Sequence, residues 1–411
     1  MGDLVAIVRN IRLFILLPAL FISAVVLSGC AGPTTPFGGL APWDLHHSEN
    51  SLVEAQNEFE FNQSLPILSL TLRHPASLAD IEWNRRKSLQ DKNQPWVLMD
   101  PEQVNYVNPI VLRIYIHDPN NNGHRPKIRL TYDDWDLTAK IKDKSNWEKI
   151  SETDWQFTSR QIKFSPARVG ELKVSFFSRQ TAHWVGTKLT EPSCIFTAQD
   201  QDQQIEQTGR FQVDGALLEK IQTLSKSNQV NPNLIAALIA QESGFNSRAV
   251  SMSRAIGLTQ VTPVAEKEIL SYHPEFPQYP GLNKYSFLRL LSLVKMQEIG
   301  PNEEWRLDPE QSIRGGITYL ELVRDYWARF SFTQLQNRTP ASLVKNSRAL
   351  SDQEELILTL ASYNSGPARV KRAYLQDPKM WLKDENLSEA RTYVHKISSY
   401  CANFSHGKAG Q

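Results

Sequence analysis

What this chain has little of narrows it first. Its 411 residues carry 45 basic and 44 acidic side chains, a formal charge of +1. Without an excess of either sign there is no field to steer a polyanion and no basic stripe for a phosphate backbone, so nucleic acid is excluded as a partner. The 9 histidines, His46-His47 among them, are scattered without the spacing of a ligand set, and no metal or cofactor is expected. No segment repeats at a fixed period. Only 3 cysteines are present, Cys30, Cys194 and Cys401. What remains is ordinary globular material: 41% hydrophobic residues and 9% aromatics, enough to bury the cores of two or three domains.

Apolar runs are also short. Arg9 and Arg12 precede a greasy stretch from Leu13 to Leu27 that Pro18 interrupts, too short to span a bilayer comfortably but laid out like a secretory signal over residues 1–29. Its end, Leu27-Ser28-Gly29-Cys30, resembles the lipobox of bacterial lipoproteins, in which the cysteine is lipidated and becomes the first mature residue. Ala31 and Gly32 follow in place of Asp, which in Gram-negative lipoproteins implies the outer membrane. The resemblance therefore implies a lipid anchor on Cys30 and a place in the cell envelope, on the periplasmic face. Cys194 and Cys401 then lie in a compartment that permits a disulfide. Two buried thiols or one bridge are both open, because nothing in the sequence brings the two backbones together.

Residues 30–60, opening with "GPTTPFGGLAP", read as a tether. Over residues 61–200 the apolar period is two. Ile110, Leu112, Ile114 and Ile116 alternate with other residues, as do Ile128, Leu130 and Tyr132, and again Leu172, Val174 and Phe176. Turn clusters such as "DPNNNG" separate these strands, so an antiparallel β-sandwich is expected, with an immunoglobulin-like topology as one candidate and its core cysteines absent. Trp135, Trp147, Trp155 and Trp184 are read as core residues ahead of sugar platforms, given the area each buries. Glycan, an envelope protein and simple spacing from the membrane are equally open as the sandwich's business.

From residue 210 to 411 the period is helical, so the chain is an α+β multidomain protein ending in an all-α domain. Asp214 and Asn231-Pro232 mark helix starts, Gly244 a stop, and Asp308-Pro309 and Ser351 with Glu354 two further starts. One carboxylate breaks the pattern. Glu242 lies seven, four and three residues after Ile235, Leu238 and Ile239, so it shares their apolar face and points inward. Burial and the carboxyl end of a helix dipole both disfavour its charge. Such an acid, neutral near pH 7, can protonate a leaving oxygen; the bland alternative is an ion pair with Arg248 or Arg254.

Four blocks weigh between these. "ESGFNSRAVSMSRAIGLTQVTP", "RLDPEQSIRGGITYL", "LASYNSGPARVKRAY" and "EARTYVHKI" resemble, in order, the motifs of the soluble-type lytic murein transglycosylases, the glycoside hydrolase family 23 group related to goose-type lysozyme, over about residues 226–404. The resemblance implies a lysozyme-like fold, peptidoglycan glycan strands as substrate, and Glu242 as the single catalytic acid. It further implies that Ser243, Ser251, Gly257, Leu258, Gln260, Tyr363, Asn364 and Tyr393 form the sugar site, with Tyr363 close to the carboxyl. This chain departs from the pattern at Thr259 and Thr262, where methionines are usual, at Arg254, usually glycine, and at Ser362 and Ser365, usually alanine. Loss of the methionines should remove apolar contact to the sugar. Residues 267–304 and 331–352 are inserts; the first, rich in proline and aromatics, suits a groove wall or a docking face.

Glycosidases generally need two carboxylates, and only one inward candidate is visible here. One is enough if the substrate supplies the nucleophile. The resemblance implies that Glu242 protonates the bond between N-acetylmuramic acid and N-acetylglucosamine, then takes the proton of the muramoyl 6-hydroxyl as that oxygen closes on C1, leaving a 1,6-anhydro sugar. A lysozyme-type hydrolase and a non-catalytic glycan-binding scaffold are the competing readings.

Overall fold

The computed structural model describes residues 78–133, 135–138, 146–167, 170–197, 204–205, 208–330 and 350–405. The signal segment, Cys30, the tether and most of the second insert lie outside the described residues. Among those described, no helix is long and apolar enough to cross a membrane.

The period-two segments are strands. A helix absent from the sequence expectation, α1 (Leu78–Ser88), precedes β1 (Trp96–Asp100), β2 (Ile110–His117), β3 (Ile128–Tyr132), β4 (Trp135–Asp136), β5 (Trp147–Lys149), β6 (Asp154–Ile162), β7 (Leu172–Phe177) and β8 (Trp184–Lys188). They pair as two antiparallel sheets, ordered β1-β2-β6-β5 and β4-β3-β7-β8. Alternate residues of both sheets, Leu112, Ile114 and Phe157 with Leu130, Val174 and Phe176, meet in one core, which is the burial the alternation requires. Trp135 and Trp147 pack on this core, whereas Trp184 stands exposed with the Arg129 guanidinium 4.6 Å over its ring.

The helical domain comprises α2 (Gly215–Ser227), α3 (Pro232–Ser243), α4 (Pro263–Tyr272), α5 (Phe287–Lys295), α6 (Pro309–Arg329), α7 (Asp352–Ser365), α8 (Pro367–Gln376) and α9 (Ser388–Ser405). Side-chain caps close their starts: Asp214 accepts from Ala216 N, Asn231 from Asn233 N, Asp308 from Gln311 N, and Ser351 forms a reciprocal capping box with Glu354. Gly244 ends α3 in the left-handed conformation, φ 60°. The apolar face expected on α3 is wider than one stripe: every residue from Pro232 to Gln241 is buried, because α3 is the central helix, with α2 and α9 packed on it. The first insert is neither loop nor free flap. It folds as part of α4, a 3₁₀ turn at Leu282–Lys284 and α5, and Leu282, Leu290, Leu293, Val294 and Ile299 pack against Ile256 and Leu307.

The two domains are joined by more than the chain. Cys194, past the last strand, is bonded to Cys401 on α9 across 207 residues of sequence, with the Cα atoms 5.9 Å apart. The question the sequence left open is decided for the bridge, because the segment after β8 lies along α9.

Candidate active site

Glu242 sits on the last turn of α3, half-buried, where the helix stops at Gly244. The Tyr393 hydroxyl, from α9, donates to Glu242 Oε1 at 2.5 Å. Loss of water pushes the Glu242 carboxyl up to about 8; the Tyr393 hydrogen bond pulls the other way and the Glu389 charge adds to the rise. Near neutrality this carboxyl is therefore a proton donor. The ion-pair alternative fails on geometry: Arg248 Nη1 donates to the Val294 carbonyl at 3.2 Å and Arg254 Nη1 to the Asn283 carbonyl at 2.7 Å, so both guanidinium groups are engaged by the insert.

Tyr363 does not hold the acid. Its hydroxyl donates to the Thr259 carbonyl at 2.9 Å, while burial and the nearby Glu242 charge raise its own pKa well above the ordinary value. Tyr363 lies near enough to feel the Glu242 charge, and the hydrogen bond to the acid comes from Tyr393, another of the residues the motifs pointed to. Its phenol too is held well above its ordinary range, by burial and then by Glu242, and so stays a donor.

The loop from Val250 to Val261 carries four of the expected site residues, all with structural duties. Ser251 is buried and closes a turn: its Oγ accepts from Ala255 N at 3.0 Å. Gly257 has φ +84°, and a Cβ there would lie 1.9 Å from the Arg306 carbonyl oxygen, so only glycine fits. Leu258 is fully buried in the helical core. Gln260 bridges the loop to itself, Nε2 donating to the carbonyls of Ala249 and Gly257, and its buried Oε1 has no hydrogen-bond partner among the described residues. Ser243 Oγ donates back to the Ile239 carbonyl of its own helix, and Asn364 Oδ1 accepts from Ser365 Oγ, at the end of α7.

Departures from the family pattern acquire reasons. Thr259 does not face a sugar: it is 1% exposed, its hydroxyl donates to the Ser312 carbonyl at 2.9 Å, and Gly316 leaves room for its methyl on α6. Thr262 caps α4 through Ala265 N. Arg254 keeps a positive φ, 62°, where the family has glycine, a strain of roughly 1–2 kcal/mol that its hydrogen bond to the insert offsets. Ser362 Oγ accepts the indole N–H of buried Trp327 at 2.9 Å.

Sequence reasoning missed two inward carboxylates. Glu266 on α4 and Glu304 at the end of the first insert are buried, and both meet Arg306, 1% exposed, at 2.9 Å and 2.6 Å. Both are committed to that guanidinium, and Asn283 Nδ2 also donates to Glu266. No local pattern announces the whole trio, since Glu266 lies about forty residues before Arg306 in the chain. Its effect on the site is positional: Arg306 presents the carbonyl against which Gly257 is pressed.

Residues 219–277 match the family described as the Transglycosylase SLT domain, a stretch that includes α3, Glu242 and the glycine-bearing loop. Over this stretch the helical half of the chain is thus similar to the transglycosylase SLT domain. Among curated relatives, it is 27% identical over 178 residues to the membrane-bound lytic murein transglycosylase E of Buchnera aphidicola subsp. Baizongia pistaciae, an alignment covering 43% of this chain and 66% of that protein. It is 30% identical over 139 residues to the membrane-bound lytic murein transglycosylase F of Vibrio cholerae, covering 28% of this chain and 22% of the relative. The chain spans less than two thirds of the length of these relatives. Among solved structures, the lytic transglycosylase Slt of Pseudomonas aeruginosa is 22% identical, with a TM-score of 0.30 over 47% of this chain and 24% of its own.

Proposed function

We propose that this protein is a peptidoglycan lytic transglycosylase that cleaves the β-1,4 bond between N-acetylmuramic acid and N-acetylglucosamine without water. The observation that carries this reading is Glu242: a carboxyl kept protonated to about pH 8 at a helix end, held by one phenol, and, among the described residues, unpaired with any cation. Glu242 gives its proton to the bridging oxygen as the C1–O bond breaks. The muramoyl 6-hydroxyl oxygen then bonds to C1 and returns its proton to Glu242, so the acid is regenerated and a 1,6-anhydro end is left. The pairing of Glu266 and Glu304 with Arg306 supports a single-acid mechanism over one with a second carboxylate free to activate water. Digestion of purified sacculi followed by mass spectrometry tests it: anhydro ends from the wild type and none from Glu242→Gln are expected. Reducing ends would identify a hydrolase, and no release from either chain would leave a binding protein.

The strand-bearing domain is, in the same reading, immunoglobulin-like. Labelled A to G with an extra C′, its sheets read A-B-E-D and C′-C-F-G, and Gln103 beside Thr190 adds the parallel pairing of the first strand's end with the last. A lipid on Cys30, the sequence of residues 27–30 being its support, would hold the enzyme in the envelope at the outer membrane. The sandwich would then stand between membrane and glycan, where an envelope protein could meet it.

A further inference from the structure

We propose that the strand-bearing domain is a working part of the site at Glu242: it grips the far face of α9 and so positions Tyr393 on the acid, with Tyr106, Ser399 and the Cys194–Cys401 bridge as positioning residues. This rests on the transglycosylase reading for its effect on turnover, though not for its geometry.

α9 has two used faces. Tyr393, Ile397, Tyr400, Cys401 and Phe404 are buried in the helical core. His395, Ser399 and Asn403, four residues apart, form a second stripe, and the strand-bearing domain meets each of them. The Tyr106 ring lies 5.2 Å from the His395 ring, the Tyr106 backbone N–H donates to Ser399 Oγ at 3.1 Å, and Asn105 Nδ2 donates to Asn403 Oδ1 at 2.7 Å. Glu191 holds Tyr106 in turn, both carboxylate oxygens lying 2.9 Å from its hydroxyl.

The segment leaving β8 completes the grip at one end. Cys194 is bonded to Cys401, while Asn231, the cap of α3, donates through its side chain to the Ile195 carbonyl and through its backbone to the Phe196 carbonyl. One strap therefore joins the beginning of α3 to the end of α9. Glu242 stands at the other end of α3, and Tyr393 near the beginning of α9. The helices run side by side in opposite senses, tied together by the strap at one end and by the hydrogen bond to the acid at the other. From Asn231 to Glu242 is about 16 Å of helix and from Cys401 to Tyr393 about 12 Å. A slip or rotation of α9 over that span is enough to spoil a 2.5 Å contact. A domain serving only as a spacer would have no cause to bury Ser399 or to bond to this helix.

The test uses the full chain with Ser399→Ala, and separately Cys194→Ser with Cys401→Ser, each made in the native and in the Tyr393→Phe background. On soluble uncrosslinked glycan strands, each change should lower kcat about three- to tenfold with KM unchanged when Tyr393 is present, and have no further effect on Tyr393→Phe. Equal losses in both backgrounds, or no loss with Tyr393 present, would overturn the proposal, since a merely stabilising contact is indifferent to residue 393. Carbon-13 NMR titration of the Glu242 carboxyl gives a readout free of activity. Glu242 faces Tyr393 and Glu389 from α9 and Tyr363 from α7. Loosening Tyr393 removes the influence that lowers its pKa, so the titration should move upward in the native background and stay put in Tyr393→Phe. That pattern in a chain yielding no anhydro ends would sink the enzymatic reading and leave the grip standing; an unmoved titration in an active chain would do the reverse.

Discussion

Replacing Glu242 by glutamine should make this protein more stable as the pH rises, while abolishing its turnover. The carboxyl has a pKa of about 8 in the folded chain against an ordinary 4.5. Below pH 4.5 folded and unfolded chains both hold the proton and the acid costs nothing. As pH rises through 4.5 the unfolded chain releases it and the folded chain does not, so wild-type stability declines, levelling off above about pH 8. That interval, at about 1.36 kcal/mol per pH unit, amounts to about 5 kcal/mol at the top and about 3 kcal/mol at pH 7. Glutamine binds no proton and keeps an oxygen for Tyr393, so the variant escapes the decline. For a domain of about 200 residues the gain at pH 7 corresponds to roughly 6–12 °C in Tm. Paired melting curves of wild type and Glu242→Gln from pH 4 to 9 read it directly. A difference that stays flat across this range would mean that Glu242 is ionised and solvated in the folded protein, and the acid role would go with it.

Other changes probe the scaffold under the acid. Gly257→Ala places a methyl against the Arg306 carbonyl at a positive φ, and the denaturant midpoint should drop by the equivalent of at least about 2 kcal/mol; an unchanged midpoint would show the loop to be free to move. Arg306→Met leaves Glu304 and Glu266 buried without a counter-charge and should cost about 3–5 kcal/mol, much of it recovered when both glutamates are also made glutamine. Failure of the triple variant to recover would mean that the guanidinium serves through its packing.

Local chemistry wrote much of this protein into its sequence. Asn231-Pro232 and Gly244 delimit α3 because a cap and a left-handed stop act within one turn. Glu242 could be read as inward because helical spacing ties it to Ile235, Leu238 and Ile239. The strands of the first domain were legible because alternation is the mark of a sheet with one buried face. Which phenol holds Glu242, the pairing of Glu266 with Arg306, and the bond from Cys194 to Cys401 were decided only by the tertiary structure. Each joins segments between about 40 and 200 residues apart. A side chain's neighbours along the chain set its secondary structure and the face it presents, whereas its partner across the fold depends on how whole elements pack.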